Sequence, residues 1–88
     1  MTNTDKIAIV TGAGSGVGKA SSLALAAEGW TLVLAGRRPE PLNEVASEIE
    51  AFGGKATAIP TIVGDPVSVH ELFNTTLSRY GRLDLLFN

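Results

Sequence analysis

The chain has 88 residues, which is enough for one small domain. Seven basic against nine acidic residues give a net charge of −2, which argues against non-specific binding of nucleic acid. With no cysteine and one histidine, the sequence predicts neither a disulfide nor a metal site. No apolar run approaches the roughly 20 residues that span a bilayer, and the polar start MTNTDK does not resemble a signal peptide, so we expect a cytoplasmic protein without a membrane partner.

The first half of the chain alternates apolar runs with helix-forming segments. Residues 6–11 (KIAIVT) and 31–35 (TLVLA) are apolar without polar alternation, which is typical of strands buried on both faces. Residues 18–28 (GKASSLALAAE) are rich in helix formers and predict a helix that ends at Gly29. A second helix is predicted over residues 39–52, where apolar residues recur at helical spacing: Leu42, Val45, Ala46, Ile49 and Phe52.

The second half continues this alternation. Residues 55–60 (KATAIP) predict a third strand. Asp65 is predicted to cap a third helix that begins at Pro66 and ends at Gly81. Residues 83–88 (LDLLFN) begin a fourth strand. The third helix carries one mainly apolar stripe, formed by Val69, Leu72, Phe73, Thr76, Leu77 and Tyr80.

The predicted order of elements is β-α-β-α-β-α-β. Such alternation predicts a parallel sheet, because parallel strands need helical crossovers between them. Right-handed crossovers leave few topologies, of which we expect the strand order 3-2-1-4. The predicted fold is therefore α/β, part of a doubly wound sheet of the Rossmann type. No linker or repeat divides residues 1–88, which we interpret as one unit.

Glycine makes up four of the eight residues of TGAGSGVG (11–18), between the first strand and the first helix. Glycine allows a sharp turn and removes the Cβ atoms that would keep a pyrophosphate away from backbone N–H groups. The helix N-terminus adds free donors and the positive end of its dipole. The segment predicts a nucleotide-binding loop, with a plain tight turn as the alternative. A Walker-type loop is excluded, because Ala20 rather than serine or threonine follows Lys19.

The pattern TGxxxGxG over residues 11–18 resembles the loop of the short-chain dehydrogenase/reductase family. The resemblance continues along the chain. LVLAGRR (32–38) is similar to the family's second strand and turn, and GRLDLLFN (81–88) to the approach to its Asn-Asn-Ala-Gly motif. The resemblance implies binding of a dinucleotide and hydride transfer between it and a carbonyl or alcohol substrate, in full-length proteins that form homo-oligomers.

The residues that the loop and the resemblance indicate for cofactor binding are Gly12, Ser15, Gly16, Val17, Gly18, Arg37, Arg38, Val63 and Asn88. A Rossmann domain that prefers NAD usually has an acidic residue at the end of the second strand, where Gly36 stands here. Arg37 and Arg38 follow and would pair with a 2′-phosphate, so we expect NADP rather than NAD. The alternative is that both arginines are solvated loop charges. The hydroxyl of Ser15 either contacts the adenosine phosphate or serves only the turn.

One segment departs from the family pattern. After the third strand the family commonly has Asp-Val, whose Asp accepts a hydrogen bond from the adenine amino group, whereas this chain has Ile62-Val63. Isoleucine cannot accept that bond, while Val63 can still pack on the adenine. We expect His70 to be a solvated helix residue, and Trp30 and Tyr80 to serve packing.

The catalytic Tyr-x-x-x-Lys pair, Ser and Asn that the resemblance implies do not fall within the chain. Its single tyrosine, Tyr80, is followed by Gly-Arg-Leu-Asp and so lacks the lysine. We therefore expect an N-terminal fragment of an NADP-dependent oxidoreductase that carries no catalytic residue and is inactive alone. The alternatives are a non-catalytic nucleotide-binding module and an inactive truncated product. We expect the isolated chain to be molten or aggregated, because residues 84–88 (DLLFN) would form an unpaired apolar edge.

Overall fold

The computed structural model describes residues 6–87. Its elements follow the predicted order: β1 (Ile7–Thr11), α1 (Gly16–Ala27), β2 (Thr31–Gly36), α2 (Pro39–Ala51), β3 (Lys55–Pro60), α3 (Pro66–Tyr80) and β4 (Leu85–Phe87). Two boundaries differ from the prediction by two residues: α1 begins at Gly16 rather than at Gly18, and β4 begins at Leu85 rather than at Leu83. Glycine has a low helix propensity, so the prediction from sequence placed the start of α1 too late, whereas in the fold Gly18 allows the first turn to pack closely.

The strands form one parallel sheet in the order β3-β2-β1-β4, as predicted. Thr11 at the end of β1 is opposite Ala35 of β2, and Gly36 at the end of β2 is opposite Pro60 of β3. Because the strands run in the same direction, their carboxyl ends and the loops that follow them lie at one edge of the sheet.

Both faces of the two central strands are buried, because their side chains point alternately to opposite faces. On one face they pack with α1 and α2 in a first core of Ala8, Val10, Ala13, Ala26, Leu32, Leu34, Leu42, Val45 and Ile49. On the other face they pack with α3 in a second core of Ile7, Ile9, Val33, Ala35 and Leu72. This burial fixes the register, since a slip of one residue would exchange the two sets.

The third helix has the predicted cap at each end. The Asp65 carboxylate accepts a hydrogen bond of 3.1 Å from the N–H of Val67. At the other end, Gly81 has a φ of +76°, a left-handed conformation that glycine adopts readily, and its N–H donates to the carbonyl of Leu77.

The packing roles predicted for two aromatic residues are confirmed. Trp30 packs against the first core, and the ammonium of Lys6 lies 5.5 Å from the centre of its ring. Tyr80 packs against the second core, and its hydroxyl is hydrogen-bonded to that of Thr57 at 2.8 Å.

Two residues of the predicted apolar stripes are exposed. Phe52 is 52% exposed and Leu77 is 48% exposed. Phe52 is the C-cap of α2 and lies beyond its last buried residue, Ile49. Leu77 lies on a side of α3 that is not packed against the sheet, whereas its neighbour in sequence, Thr76, is buried. Helical spacing identifies the apolar side of a helix, but not how much of that side another element covers.

Asp84 fastens the start of β4 to the start of β1. Its N–H donates to the carbonyl of Ile7, and its carboxylate accepts from the N–H of Ile7, each at 2.9 Å. The guanidinium of Arg82 donates to both carboxylate oxygens, at 2.9 and 2.7 Å. The hydrogen bonds from Arg82, and after them the one from Ile7, hold the pKa of Asp84 below its ordinary value of 3.8.

We expect Asp84→Asn to lower the free energy of unfolding at neutral pH, because asparagine loses the charged pair with Arg82. The pKa of Asp84 is lower in the folded state, so its carboxylate contributes stability that is fully present above the unfolded value of 3.8. That contribution is lost as the pH falls through the lower folded pKa. The difference between variant and wild type should therefore disappear in this acidic range.

The measurement is urea unfolding at a series of pH values, followed by circular dichroism, on the polypeptide as its natural gene encodes it. Glu71→Gln, which removes an exposed carboxylate from α3, is the control. A difference for Asp84→Asn that stays constant down to about pH 2 would contradict the role of the charged pair.

Candidate nucleotide-binding site

The loops that follow β1, β2 and β3 meet at the carboxyl edge of the sheet. The N–H of Ala13 donates to the carbonyl of Ala35 at 3.2 Å, and the N–H of Thr61 donates to the carbonyl of Gly36 at 2.7 Å. Backbone hydrogen bonds thus tie the loops on both sides to the end of β2. Ligands of open parallel sheets bind in crevices at this edge.

Gly18 allows α1 to lie directly against the loop that follows β1. A Cβ added at Gly18 would overlap the carbonyl oxygen of Gly12 and lie 3.2 Å from the Cα of Ala13. Gly12 itself has a φ of +62°, a conformation that residues with a side chain rarely adopt. One glycine of this segment therefore allows the helix to approach the loop, and another adopts a left-handed backbone conformation.

The first turn of α1 leaves backbone N–H groups available to an anion. An α-helix has no internal partner for these groups. Ser15 is the N-cap residue but its side chain makes no capping hydrogen bond, so it does not satisfy the N–H groups of Gly16, Val17 and Gly18. The first turn carries no acidic residue that would compete for the positive end of the helix dipole. This geometry suits a phosphate group.

A cleft of about 220 Å³ lies beside this turn, between the loop after β1 and the start of α2. Its lining residues are Gly12, Gly14, Ser15, Gly36, Arg37, Arg38, Pro41 and Leu42. Both arginines are exposed. Within residues 6–87, none of the residues that line the cleft is acidic, so its electrostatics favour an anionic ligand.

The structure brings most of the predicted binding residues together. Four of them line the cleft: Gly12, Ser15, Arg37 and Arg38. Three more form the first turn of α1 next to it: Gly16, Val17 and Gly18. Val17 is 72% exposed, and we expect it to bind a phosphate through its backbone N–H, because its side chain is apolar. The contacts of these residues with a cofactor stay predictions.

The apolar residues after β3 lie at the same edge but outside the cleft lining. Ile62 is 47% exposed and Val63 is 58% exposed. The N–H of Ile62 donates to Ser68 Oγ at 2.9 Å, and its side chain has no hydrogen-bond acceptor. A bond to an adenine amino group is therefore not available from this side chain, while Val63 is exposed for contact with a base. The predicted contact of Asn88 lies outside the described residues.

Sequence analysis did not identify Gly14, Pro41 and Leu42 as part of the cleft. Leu42 was predicted only as part of the apolar side of the second helix, and it is buried in the first core. In the sequence, Pro41 stands in the first turn of a predicted helix. Proline is common there because it helps a helix begin, so its presence gives no sign of a binding site. The contact between this turn and the loop after β1 joins residues far apart in the chain, so neither propensity nor spacing indicates it.

Other polar residues near this edge have roles outside the cleft. The ammonium of Lys19 lies 3.4 Å from the Glu48 carboxylate, which joins α1 to α2, and the half-exposed pair contributes little stability. His70 is exposed on α3, as expected. Across residues 6–87 there is no group of three or more metal-ligating side chains that could hold a metal ion. No helix in this part of the chain is both long and apolar enough to cross a membrane.

A parallel sheet of order 3-2-1-4, with a glycine loop leading into the first helix, defines a Rossmann-type α/β protein. The model of the short chain dehydrogenase family matches residues 6–88, and the chain belongs to this family. Proteins of the family use nicotinamide cofactors.

Relatives with known sequences are similar over nearly the whole chain. An uncharacterized oxidoreductase of Listeria monocytogenes is 41% identical over 87 residues, which cover 99% of this chain and 35% of the relative. An uncharacterized oxidoreductase of Staphylococcus aureus is 44% identical over 85 residues, which cover 97% of this chain and 36% of the relative. The chain thus spans about a third of the length of these relatives.

Solved structures share the fold at similar coverage. A 3-ketoacyl-ACP reductase from Sinorhizobium meliloti has a TM-score of 0.88 at 40% identity, over 91% of this chain and 31% of that chain. A metagenomic short-chain oxidoreductase in complex with NADP has a TM-score of 0.89 at 33% identity, over 92% of this chain and 37% of that chain.

We expect Gly18→Ala to lower the melting temperature and to weaken dinucleotide binding. The added methyl group would meet backbone atoms of Gly12 and Ala13, which cannot rotate away as a side chain can. Overpacking of this kind typically costs about 1–3 kcal/mol. Thermal unfolding followed by fluorescence, with and without the dinucleotide, gives both quantities.

Gly64→Ala is the matched control for Gly18→Ala, since a Cβ at Gly64 would meet nothing within 4 Å and Gly64 does not have a positive φ. Unchanged melting temperatures for both variants would show that α1 does not approach the loop as closely as described.

Proposed function

We propose that the chain forms the adenosine and pyrophosphate part of an NADP site, in an oxidoreductase that transfers hydride between this cofactor and a carbonyl or alcohol substrate. Residues 1–88 are then the N-terminal part of its dinucleotide-binding domain. The observation that carries the proposal is the cleft, in which two exposed guanidinium groups and the N-terminus of α1 flank a lining without a carboxylate among the described residues.

The choice of NADP over NAD is based on the residues at the end of β2. Gly36 ends this strand inside the cleft, where an acidic residue would bind the ribose 2′-hydroxyl of NAD. Arg37 and Arg38 follow, and arginine binds phosphate through charge-assisted hydrogen bonds that are often bidentate. The metagenomic short-chain oxidoreductase in complex with NADP supports the proposal by its similarity to this chain.

The residues of this chain fit the adenosine end of such a cofactor. The close approach at Gly18 brings the first turn of α1 against the loop, and the backbone N–H groups of this turn would bind the pyrophosphate. Arg37 and Arg38 would hold the 2′-phosphate, and Ser15 lines the same cleft. When bound, the cofactor supplies a nicotinamide ring that gives or accepts the hydride.

The chemical step needs residues other than those of this chain. The Tyr80 hydroxyl is hydrogen-bonded to Thr57 and its ring packs on the second core, so Tyr80 is not a candidate for the general acid or base. The catalytic residues are expected in the part of the relatives that this chain does not span. The cytoplasmic location and the homo-oligomeric assembly also stay predictions.

We expect Arg37→Asp to erode the preference for NADP over NAD, because an aspartate repels a 2′-phosphate where arginine pairs with it. A charge-assisted hydrogen bond is worth roughly 1.5–3 kcal/mol, so the ratio of the two dissociation constants should fall about 10- to 100-fold. Fluorescence titrations of the natural polypeptide with NADPH and NADH measure this ratio.

Arg79→Asp is the control, since it makes the same change in charge at an exposed arginine in the last turn of α3. A ratio of dissociation constants that is the same in wild type and Arg37→Asp would contradict the assignment of NADP. Binding of NADPH by a natural polypeptide that reduces no carbonyl compound would instead favour the non-catalytic nucleotide-binding module.

A further inference from the structure

The loop after β1 lies against the first turn of α2 where Gly14 faces Pro41. A Cβ added at Gly14 would lie 2.7 Å from the Cβ of Pro41, closer than real side chains approach each other. Both residues line the cleft. The width of the cleft at this point is therefore set by the contact between a residue without a side chain and a proline ring.

Pro41 is poorly able to give way. Its Cβ is fixed to the backbone and cannot rotate away, and the ring also fixes the φ of this residue. Pro41 lies in the first turn of α2, two residues after Pro39, which starts the helix. The next residue, Leu42, is buried in the first core and packs over Gly36, where an added Cβ would lie 3.1 Å from its Cδ2. A shift of Pro41 must therefore move the N-terminal turn of α2.

We propose that Pro41 is a positioning residue that holds Arg37 and Arg38 at the distance from the phosphate-binding loop that a 2′-phosphate requires. Arg38 is the N-cap of α2 and Arg37 precedes it, so both move with the first turn of α2, whose position is held by the contact between Pro41 and Gly14. This role rests on the proposed NADP site. It concerns the 2′-phosphate in particular, because NAD lacks the group that these arginines would hold.

The proposal predicts that Gly14→Ala lowers the preference for NADP over NAD about tenfold, which corresponds to about 1.4 kcal/mol. The added methyl group pushes the loop and the turn apart, so the arginines no longer reach the phosphate in the same geometry. A purely structural defect would weaken the binding of both dinucleotides equally and would leave their ratio unchanged.

The test is a double-mutant cycle on the natural polypeptide, with NADPH and NADH as the probes. Pro41→Ala opens the ring but keeps the Cβ, whereas Pro41→Gly removes it. We expect Gly14→Ala to lower the ratio about tenfold in the wild-type and Pro41→Ala backgrounds, and by no more than about twofold in the Pro41→Gly background. Gly64→Ala is the control for a glycine substitution without a steric neighbour.

If Gly14→Ala fails to fold, the single substitutions at Pro41 give a second test. Pro41→Gly removes the Cβ that contacts Gly14 and should lower the preference for NADPH over NADH. Pro41→Ala keeps this Cβ and should leave the preference near the wild-type value. Equal ratios for these two variants would overturn the proposal.

Four results of the cycle separate the two proposals. An equal effect of Gly14→Ala in all backgrounds, or no effect in wild type, overturns the positioning role and leaves the NADP site standing. A wild type that binds NADPH and NADH equally well overturns the 2′-phosphate contact and the positioning role with it. A wild type that binds neither overturns the proposed function itself.

Discussion

The arrangement at the carboxyl edge of the sheet depends on the absence of a side chain at Gly18. Only without a Cβ can the first turn of α1 lie against the carbonyl oxygen of Gly12. This approach places the positive end of the helix at the end of β1. Because β1 and β2 are parallel and in register, the loop that carries Arg37 and Arg38 comes to the same place. The backbone geometry thus brings the positive end of the α1 dipole and the two guanidinium groups to the same side of the sheet.

Core packing then sets the opposite wall of the cleft. Leu42 is 1% exposed, and burial of such a side chain contributes on the order of 1.5–3 kcal/mol. Its neighbour Pro41 lines the cleft against Gly14. The position of the first turn of α2 is therefore fixed by two contacts of different kinds, one with the core and one with the loop. This links the stability of the fold to the spacing of the charged groups in the candidate site.

Much of this organisation could be predicted from the sequence, because it depends on local signals. Apolar runs without alternation indicated β1 and β2, and the glycine pattern indicated the loop between β1 and α1. The exposure of Phe52 and Leu77 could not be predicted, since spacing does not show which side of a helix its neighbours cover. The place of Pro41 could not be predicted either, because it depends on a contact between two elements that only the folded sheet brings together.

Under the proposed function, the site distinguishes its ligand by charge more than by the identity of the base. The Ile62 side chain cannot accept a hydrogen bond from adenine, and its N–H is already bonded to Ser68. Contact with the exposed Val63 would be apolar and would not depend on the donors and acceptors of the base. The groups that can discriminate are then Arg37 and Arg38, which meet a phosphate or fail to meet one. Because these side chains are exposed, salt screens their attraction, and selectivity depends on the close contact that the geometry of the first turn of α2 permits.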